Sequence, residues 1–455
     1  MLKSRTYFDY ASLPPIDKRV LKEVAKYSST KYANASAWHK EGVNAKNALA
    51  DARSRIASYI HGHKVGVVFT SGGTESNNMA LFGPVYSELE KGREYSDLHI
   101  LVSEIEHSSI VECADELRRR GVQVDFVKVD SSGVMILDDV KNKIKPNTIL
   151  ISVMMVNNEV GTIQPIREIA KMVRQERTKR MSFLEVGPPE LFFHCDASQA
   201  MHLEIDVEQL GVDLLTLDSS KFYGPRGIGM LYIKKDTAIK PVLFGGGQEG
   251  GMRSGTENIP AIRGFAKALD ICDEEREREF KRLTGLRQQL IEGLKRPANI
   301  DFLRRLKSPA PIATVSCLTG GGKIRAIVAP AQSALTDAKN QYSLVSQNVI
   351  SININGNDAK VSPHIINISI PGIDNEFFTL WLDARGISCS TRSACLHDGD
   401  ESYVLKAMKA DSSSSVRFSI GRWTKKGDIT KLCKLISTFL LNNDPTKLKL
   451  GNQNA

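Results

Sequence analysis

Three short stretches of the chain carry residue types that could do chemistry together. Thr70-Ser-Gly-Gly-Thr-Glu-Ser-Asn-Asn78 lies where an apolar run ends and a helical pattern begins. Its backbone N–H groups and hydroxyls therefore face the positive end of a helix dipole, which suits a phosphate. The same stretch also fits a plain strand-to-helix turn with Thr74 as N-cap. Phe193-His-Cys-Asp-Ala-Ser-Gln199 places an acid at the end of one strand, and Ser219-Ser-Lys-Phe-Tyr-Gly-Pro-Arg-Gly-Ile-Gly229 places a lysine just after another. In a shared crevice the carboxylate could keep a pyridinium nitrogen protonated while the amine forms a Schiff base with an aldehyde. A lone lysine is ordinarily a surface charge. The Gly-Pro-Arg-Gly turn behind Lys221 and the phosphate-type loop upstream favour the chemical reading.

Such residues need a scaffold that brings strand ends together. Between about 60 and 260, short β-branched apolar runs alternate with amphipathic helical stretches, the pattern of an α/β unit with a buried, mostly parallel sheet. Strands are expected at Val65–Thr70, His99–Ser103, Val122–Val127, Thr148–Val156, Leu191–Asp196, Leu214–Asp218 and Gly227–Ile233, with helices near 75–91, 108–120 and 166–180. A long charged helix over about 258–297 leads into an α+β pattern: Ile365–Ile370, a helix near 376–386, Val416–Ile420 and a closing helix near 427–442. The expected organisation is a large α/β domain over 15–260 and a smaller α+β domain made of 1–14 and 261–442. An insertion occupies about 306–362, and 443–455 is expected to be a disordered tail. Within the insertion, Ile350, Ile352 and Ile354 beside Asn355-Gly356 give a hairpin signal.

Composition narrows the class. With 455 residues, 41% hydrophobic and 25% charged, a chain disordered throughout is excluded. The net charge of +9 is read as a solubility feature, with no direct nucleic-acid partner expected. The sequence offers no apolar run of membrane-spanning length and no secretory start, so a cytoplasmic protein is expected. The seven cysteines, at 113, 195, 272, 317, 389, 395 and 433, include no Cys-x-x-Cys pair, so neither a metal site nor a disulfide framework is expected.

The ordered set of motifs resembles the pyridoxal-phosphate enzymes of the class V aminotransferase type and, within them, the cysteine desulfurases. The resemblance covers about 5–298 and 363–440. It rests on Tyr7-Phe-Asp-Tyr-Ala-Ser-Leu-Pro-Pro15, the 69–78 loop, Glu104-Ile-Glu-His-Ser-Ser109, Val156-Asn-Asn-Glu-Val-Gly-Thr162, the glycine-rich run from Gly245 to Asn258, Ser393-Ala-Cys395 and Ser415-Val-Arg-Phe-Ser-Ile-Gly-Arg422. It implies the type I fold of pyridoxal-phosphate transferases and a homodimer. By the same resemblance Lys221 is the Schiff-base lysine, Asp196 the partner of the pyridine nitrogen, and Gln199 the contact of the phenol oxygen. His107 would stack on the ring and exchange protons; Asn158 would touch cofactor and substrate; Arg417 would grip the substrate carboxylate with both guanidinium arms. Gly73, Thr74 and Ser220 would hold the phosphate, with Thr256 reaching across from the second subunit.

Cys395 separates the activities within this family. A desulfurase needs a thiolate to attack the substrate sulfur and an aminotransferase does not; polar neighbours favour an exposed, reactive Cys395, while Cys389 is expected to pack against the sheet. The implied reaction converts L-cysteine to L-alanine with a persulfide on Cys395. Sulfur would then pass to an iron–sulfur scaffold or a tRNA-thiolating enzyme. Alternatives are a selenocysteine or cysteine sulfinate lyase, a true class V aminotransferase, and a non-catalytic scaffold of the sulfur machinery. The chain also departs from the family pattern. Asp218-Ser219-Ser220 replaces the usual Ser-Gly-His, Gly250 stands for a common Arg, Arg392 for a Gly, and insertions occur near 177–190 and 306–346. Asp218 would repel a phosphate unless it pairs with a cation such as Arg226, and Ser219 or Ser220 could supply the lost donor.

Overall fold

The computed structural model describes residues 5–181, 188–295, 352–356, 360–391 and 401–442. Its strands, in chain order, are β1 (Thr6–Tyr7), β2 (Val67–Thr70), β3 (His99–Ser103), β4 (Gln123–Val127), β5 (Thr148–Met154), β6 (Phe192–Asp196), β7 (Leu214–Asp218), β8 (Gly229–Ile233), β9 (Asn353–Asn355), β10 (Ile365–Ser369), β11 (Ile387–Ser388) and β12 (Ser415–Ser419). The helices are α1 (Lys18–Ser29), α2 (Lys40–Tyr59), α3 (Gly73–Glu90), α4 (Ser108–Arg119), α5 (Leu137–Lys143), α6 (Ile166–Arg180), α7 (Val207–Leu210), α8 (Ile259–Lys295), α9 (Asn375–Asp383), α10 (Tyr403–Ala407) and α11 (Lys426–Asn442).

The main sheet has seven strands in the order β2-β8-β7-β6-β5-β3-β4. Only β8 runs against the others, pairing antiparallel with both β2 and β7. All seven residues of β5 are buried, as expected of a strand with a helical layer on each face. Alternation sorts the side chains of β3: Leu101 joins the core under α2, α6 and the start of α8, while Ile100 and Val102 join the core under α3 and α4. Every strand and helix expected between 60 and 260 is present within a few residues; the chain adds α5 and α7 there, and α1 and α2 before it.

A second, three-stranded antiparallel sheet has the order β12-β10-β9. Helix α8 joins the two parts. Its first turns carry Ile262 and Phe265 into the large core, and its later turns carry Leu283, Leu286 and Leu290 into the small one, beside Ile368 and Phe418. The N-terminal segment belongs with the small sheet, because β1 pairs parallel with β11 and Phe8 packs into the small core. The expected hairpin takes a different form. β9 pairs with β10 in the register Asn355↔Asn367, so the connection is longer than the two-residue Asn-Gly turn that the local signal suggested. The insertion over 306–346 and the tail from 443 lie outside the described residues.

Candidate active site

The parallel strands β5, β6 and β7 end on one side of the sheet, and a cavity of about 210 Å³ opens there. Ligand sites of open α/β sheets characteristically form outside the carboxyl ends of the strands. Asp196 closes β6 and Asp218 closes β7; Lys221 follows in the next turn. Gly73 and Thr74 come from the start of α3 and His107 from the N-cap of α4; Asn158 follows β5. The small sheet contributes Arg417 from β12, and the N-terminal segment adds Ala11 and Ser12.

Asp196 is held by two N–H donors. Asn77 Nδ2 donates to its Oδ2 at 2.9 Å, and the Ser198 backbone N–H donates to its Oδ1 at 2.9 Å. Asn77 Nδ2 also donates to Ser109 Oγ at 2.8 Å. The Ser109 backbone N–H donates to His107 Nδ1 at 3.2 Å, so Nδ1 is the acceptor nitrogen and the ring proton sits on Nε2 in the neutral imidazole. Beneath Asp196, His194 is buried between Ser152 and Thr216, and burial lowers it to about 4. Burial pushes the Glu106 carboxyl well above the usual range; the Met154 N–H bond opposes this, and the Asp196 charge adds to it. Burial thus disfavours the charged form of both neighbours of Asp196.

The other polar arms are equally tied. Lys221 Nζ donates to the carbonyl oxygens of Ser12 at 2.5 Å and Ala11 at 3.2 Å. Gln199 donates from Nε2 to Ala11 O at 2.9 Å, and its Oε1 stands 3.2 Å from His364 Nε2. His364 Nδ1 lies 2.7 Å from Ser362 Oγ. Arg417 is 2% exposed; Nη1 donates to Asn158 O at 2.8 Å, and Nη2 to Asp9 Oδ1 at 3.0 Å and Ser12 Oγ at 2.6 Å.

The sequence profile of the family described as Aminotransferase class-V matches residues 6–329. A curated relative, cysteine desulfurase IscS 1 of Archaeoglobus fulgidus, is 33% identical over 438 residues, covering 94% of this chain and 95% of its own. This chain belongs to the class-V aminotransferase family, among its cysteine desulfurases. A solved NifS-like protein superimposes on this class-V enzyme with a TM-score of 0.76 and 28% identity, covering 96% of this chain and 99% of its own. A second structure, SspA in complex with cysteine, matches with a TM-score of 0.66 and 27% identity over 91% and 98% of the two chains.

Membership of the family implies dependence on pyridoxal phosphate, and the class-V enzyme's cavity can be tested for fit. Two buried atoms of lining residues, Asn77 Oδ1 and Ser198 Oγ, have no hydrogen-bond partner among the described residues, as expected where a polar ligand completes the set. At the start of α3 the cavity comes close to the backbone: a Cβ on Gly73 would lie 3.5 Å from Ser198 Oγ. Lysine, strand-end carboxylate, amide and imidazole all converge on the same space. The residues fit the cofactor, with Asp218 the one group opposed to a phosphate.

Of the sequence-derived candidates, Gly73, Thr74, His107, Asn158, Asp196, Gln199, Lys221 and Arg417 all line this cavity. Ser220 does not line it: its side chain is buried and its N–H donates to Asp218 Oδ1 at 2.8 Å. Ser219 Oγ is buried beneath the turn at Gly224. Thr256 is exposed and lies away from the lining, in a glycine-rich loop tied down by two ion pairs, Glu249 with Arg53 and Arg253 with Glu75, both at 2.7 Å. Cys395 and Arg392 lie outside the described residues. Thr74 is not the N-cap: α3 starts at Gly73 with Gly72 at the cap position, so Thr74 sits inside the first turn. Cys389 packs beside the small core, and burial pushes its thiol up to about 12.

Sequence reading passed over Asn77, Ser109, Ser198 and His364. The first three lie inside quoted motifs, where the polar residue next to a named one was a usable signal. His364 gave none, because its role depends on the small sheet packing against Gln199.

Proposed function

We propose that the protein is a homodimeric, pyridoxal-phosphate-dependent cysteine desulfurase that converts L-cysteine to L-alanine and leaves a persulfide on Cys395. An acceptor protein, an iron–sulfur scaffold or a tRNA-thiolating enzyme, then takes the sulfur. The observation that supports this reading best is the convergence of Lys221, Asp196, His107 and Arg417, from four separate elements, on one cavity. The cysteine bound in the SspA structure supports the substrate class.

Asp196 would hold the ring nitrogen, Gln199 the phenol oxygen, and Gly73, Thr74 and Ser198 the phosphate, with His107 against the ring face. Thr256, exposed on its own chain, serves the site of the second subunit in this reading. The bound cofactor supplies an electron sink for the charge left when the substrate loses its α-proton. Lys221 Nζ takes that proton, and the Ser12 and Ala11 carbonyls hold the amine at the cavity wall until it does. Arg417 positions the substrate carboxylate by exchanging its bonds to Asp9 and Ser12 for a two-bond fork. His107 holds or returns a proton at Nε2. The Cys395 thiolate attacks the substrate sulfur, so the Cys395 Sγ–S bond forms as the Cβ–S bond breaks. The electron pair of the broken bond goes to Cβ, which takes up a proton, and Lys221 returns the α-proton to Cα to give alanine. In sum, L-cysteine and one enzyme thiol give L-alanine and one persulfide.

Alanine and sulfide release in the presence of a thiol reductant, measured for wild type and Cys395→Ala, tests the reading. Both products should be lost in the variant. Retained turnover with an amino acceptor would make the protein an aminotransferase, and retained release of elemental selenium or sulfite would make it the corresponding lyase.

A further inference from the structure

The phosphate end of the cavity carries one group that opposes the ligand it would take. Asp218 ends β7, and its Oδ1 accepts the Ser220 N–H at 2.8 Å, which fixes the side chain as the cap of the following turn. The other oxygen faces the start of α3. A Cβ on Gly73 would meet Asp218 Oδ2 at 3.5 Å, and one on Gly72 would meet it at 3.9 Å. Oδ2 thus stands where the free amides of an 18-residue helix concentrate positive potential, the place an anionic ligand would take. Arg226 is exposed, and Asp218 makes no ion pair among the described residues. The pairing that would have turned Asp218 aside is absent.

The charged and titratable groups around this end are directed to other partners or add to the negative charge. Glu75 in the first turn of α3 is committed to Arg253 at 2.7 Å. Asp196 adds a second carboxylate from β6, His107 stands at the start of α4, Arg417 bonds Asp9, and Lys221 Nζ donates to Ser12 and Ala11. A phosphate dianion entering here meets a carboxylate within a few ångströms, where like charges repel by more than thermal energy even when partly screened. A 5′-hydroxyl in the same place can donate to Oδ2, because an ionised carboxylate is an acceptor only.

Resting on the cofactor reading above, we propose that Asp218 removes most of the advantage a 5′-phosphate gives, so that pyridoxal phosphate exchanges with solution and unphosphorylated pyridoxal competes for the same cavity. Asp218 is then a specificity-determining residue for the cofactor. Equilibrium dialysis of the full-length, cofactor-stripped protein against pyridoxal phosphate and, separately, pyridoxal at pH 8 tests this in wild type, Asp218→Ser and Asp218→Asn. Asparagine keeps an acceptor for the Ser220 N–H, so it controls for disruption of the turn, and thermal midpoints check that all three are folded. In both variants pyridoxal phosphate should bind at least tenfold more tightly, and pyridoxal equally or more weakly. The ratio of the two Kd values then rises at least tenfold, and inorganic phosphate displaces pyridoxal phosphate more effectively than from wild type. An unchanged ratio, or weaker pyridoxal phosphate binding in both variants, overturns the proposal. Failure of every form to bind either compound would overturn the cofactor reading itself, a separate outcome.

Discussion

The two ends of the cavity are built on different terms. At the ring end hydrogen bonds join Asp196, Asn77, Ser109 and His107 in one set, and Gln199 with His364, the residue before β10, in another. At the phosphate end a helix start, an unpartnered serine hydroxyl and an aspartate share a small space. The first end is organised before any ligand arrives. The second keeps an anion of its own at the helix terminus, so ligand binding there has to displace or tolerate a charge. Preorganisation is therefore local within a single 210 Å³ cavity, and the fold alone does not guarantee it at both ends.

The ring end breaks most completely at Lys221. Lys221→Ala should abolish the visible cofactor band and lower turnover by about 10³-fold or more, since among the described residues no other lysine lines the cavity. Borohydride reduction and peptide mapping check it, and a pyridoxyl group found on another lysine would reject the assignment. Next in size, Arg417→Lys should raise KM by about 10- to 100-fold with the cofactor still bound, because an ammonium cannot reproduce the guanidinium fork; this is a loss of about 1.5–3 kcal/mol. Unchanged kinetics would remove Arg417 from substrate binding.

Smaller effects sharpen the contrast between the ends. Asn77→Ala removes a donor shared by buried Asp196 and Ser109 and should lower the stability of the ligand-free protein by about 1–3 kcal/mol, read from urea unfolding. Ser198→Ala deletes a hydroxyl that has no partner among the described residues, so ligand-free stability should stay within about 0.5 kcal/mol of wild type while pyridoxal phosphate binding weakens several-fold. Equal destabilisation by the two substitutions would erase the contrast. The smallest expected effect is at His364, where burial, with the Arg417 and Arg287 charges, lowers the imidazole to about 3 and keeps it neutral. His364→Phe should shift the pH midpoint of the bound cofactor's visible band by a fraction of a unit through loosened Gln199, whereas His364→Gln, which retains a donor, should restore it. A spectrum that does not move in His364→Phe would leave His364 with no positioning role.

The sequence by itself determined the alternation of strands and helices from 60 to 260 and the positions of Asp196 and Lys221 at strand ends. Burial writes both into local pattern: a strand covered on both faces is mostly apolar, with its few inner polar residues paired to one another, and the acidic and basic groups appear where it stops. The order of motifs carried the family. Two-residue strands such as β1 and β11 are too short to show a period, and their pairing brings Phe8 to the small core and Ala11 and Ser12 to the cavity. Tertiary structure alone decided which oxygen of Asp218 faces α3, that Ser198 rather than Ser219 or Ser220 stands beside Gly73, and that His364 reaches Gln199 from 165 residues away. These are relations between side chains on separate elements, fixed by how the two sheets pack and by which way each strand end points. Spacing along one chain records the residue types available to a site, and close approach in space settles which of their atoms can meet.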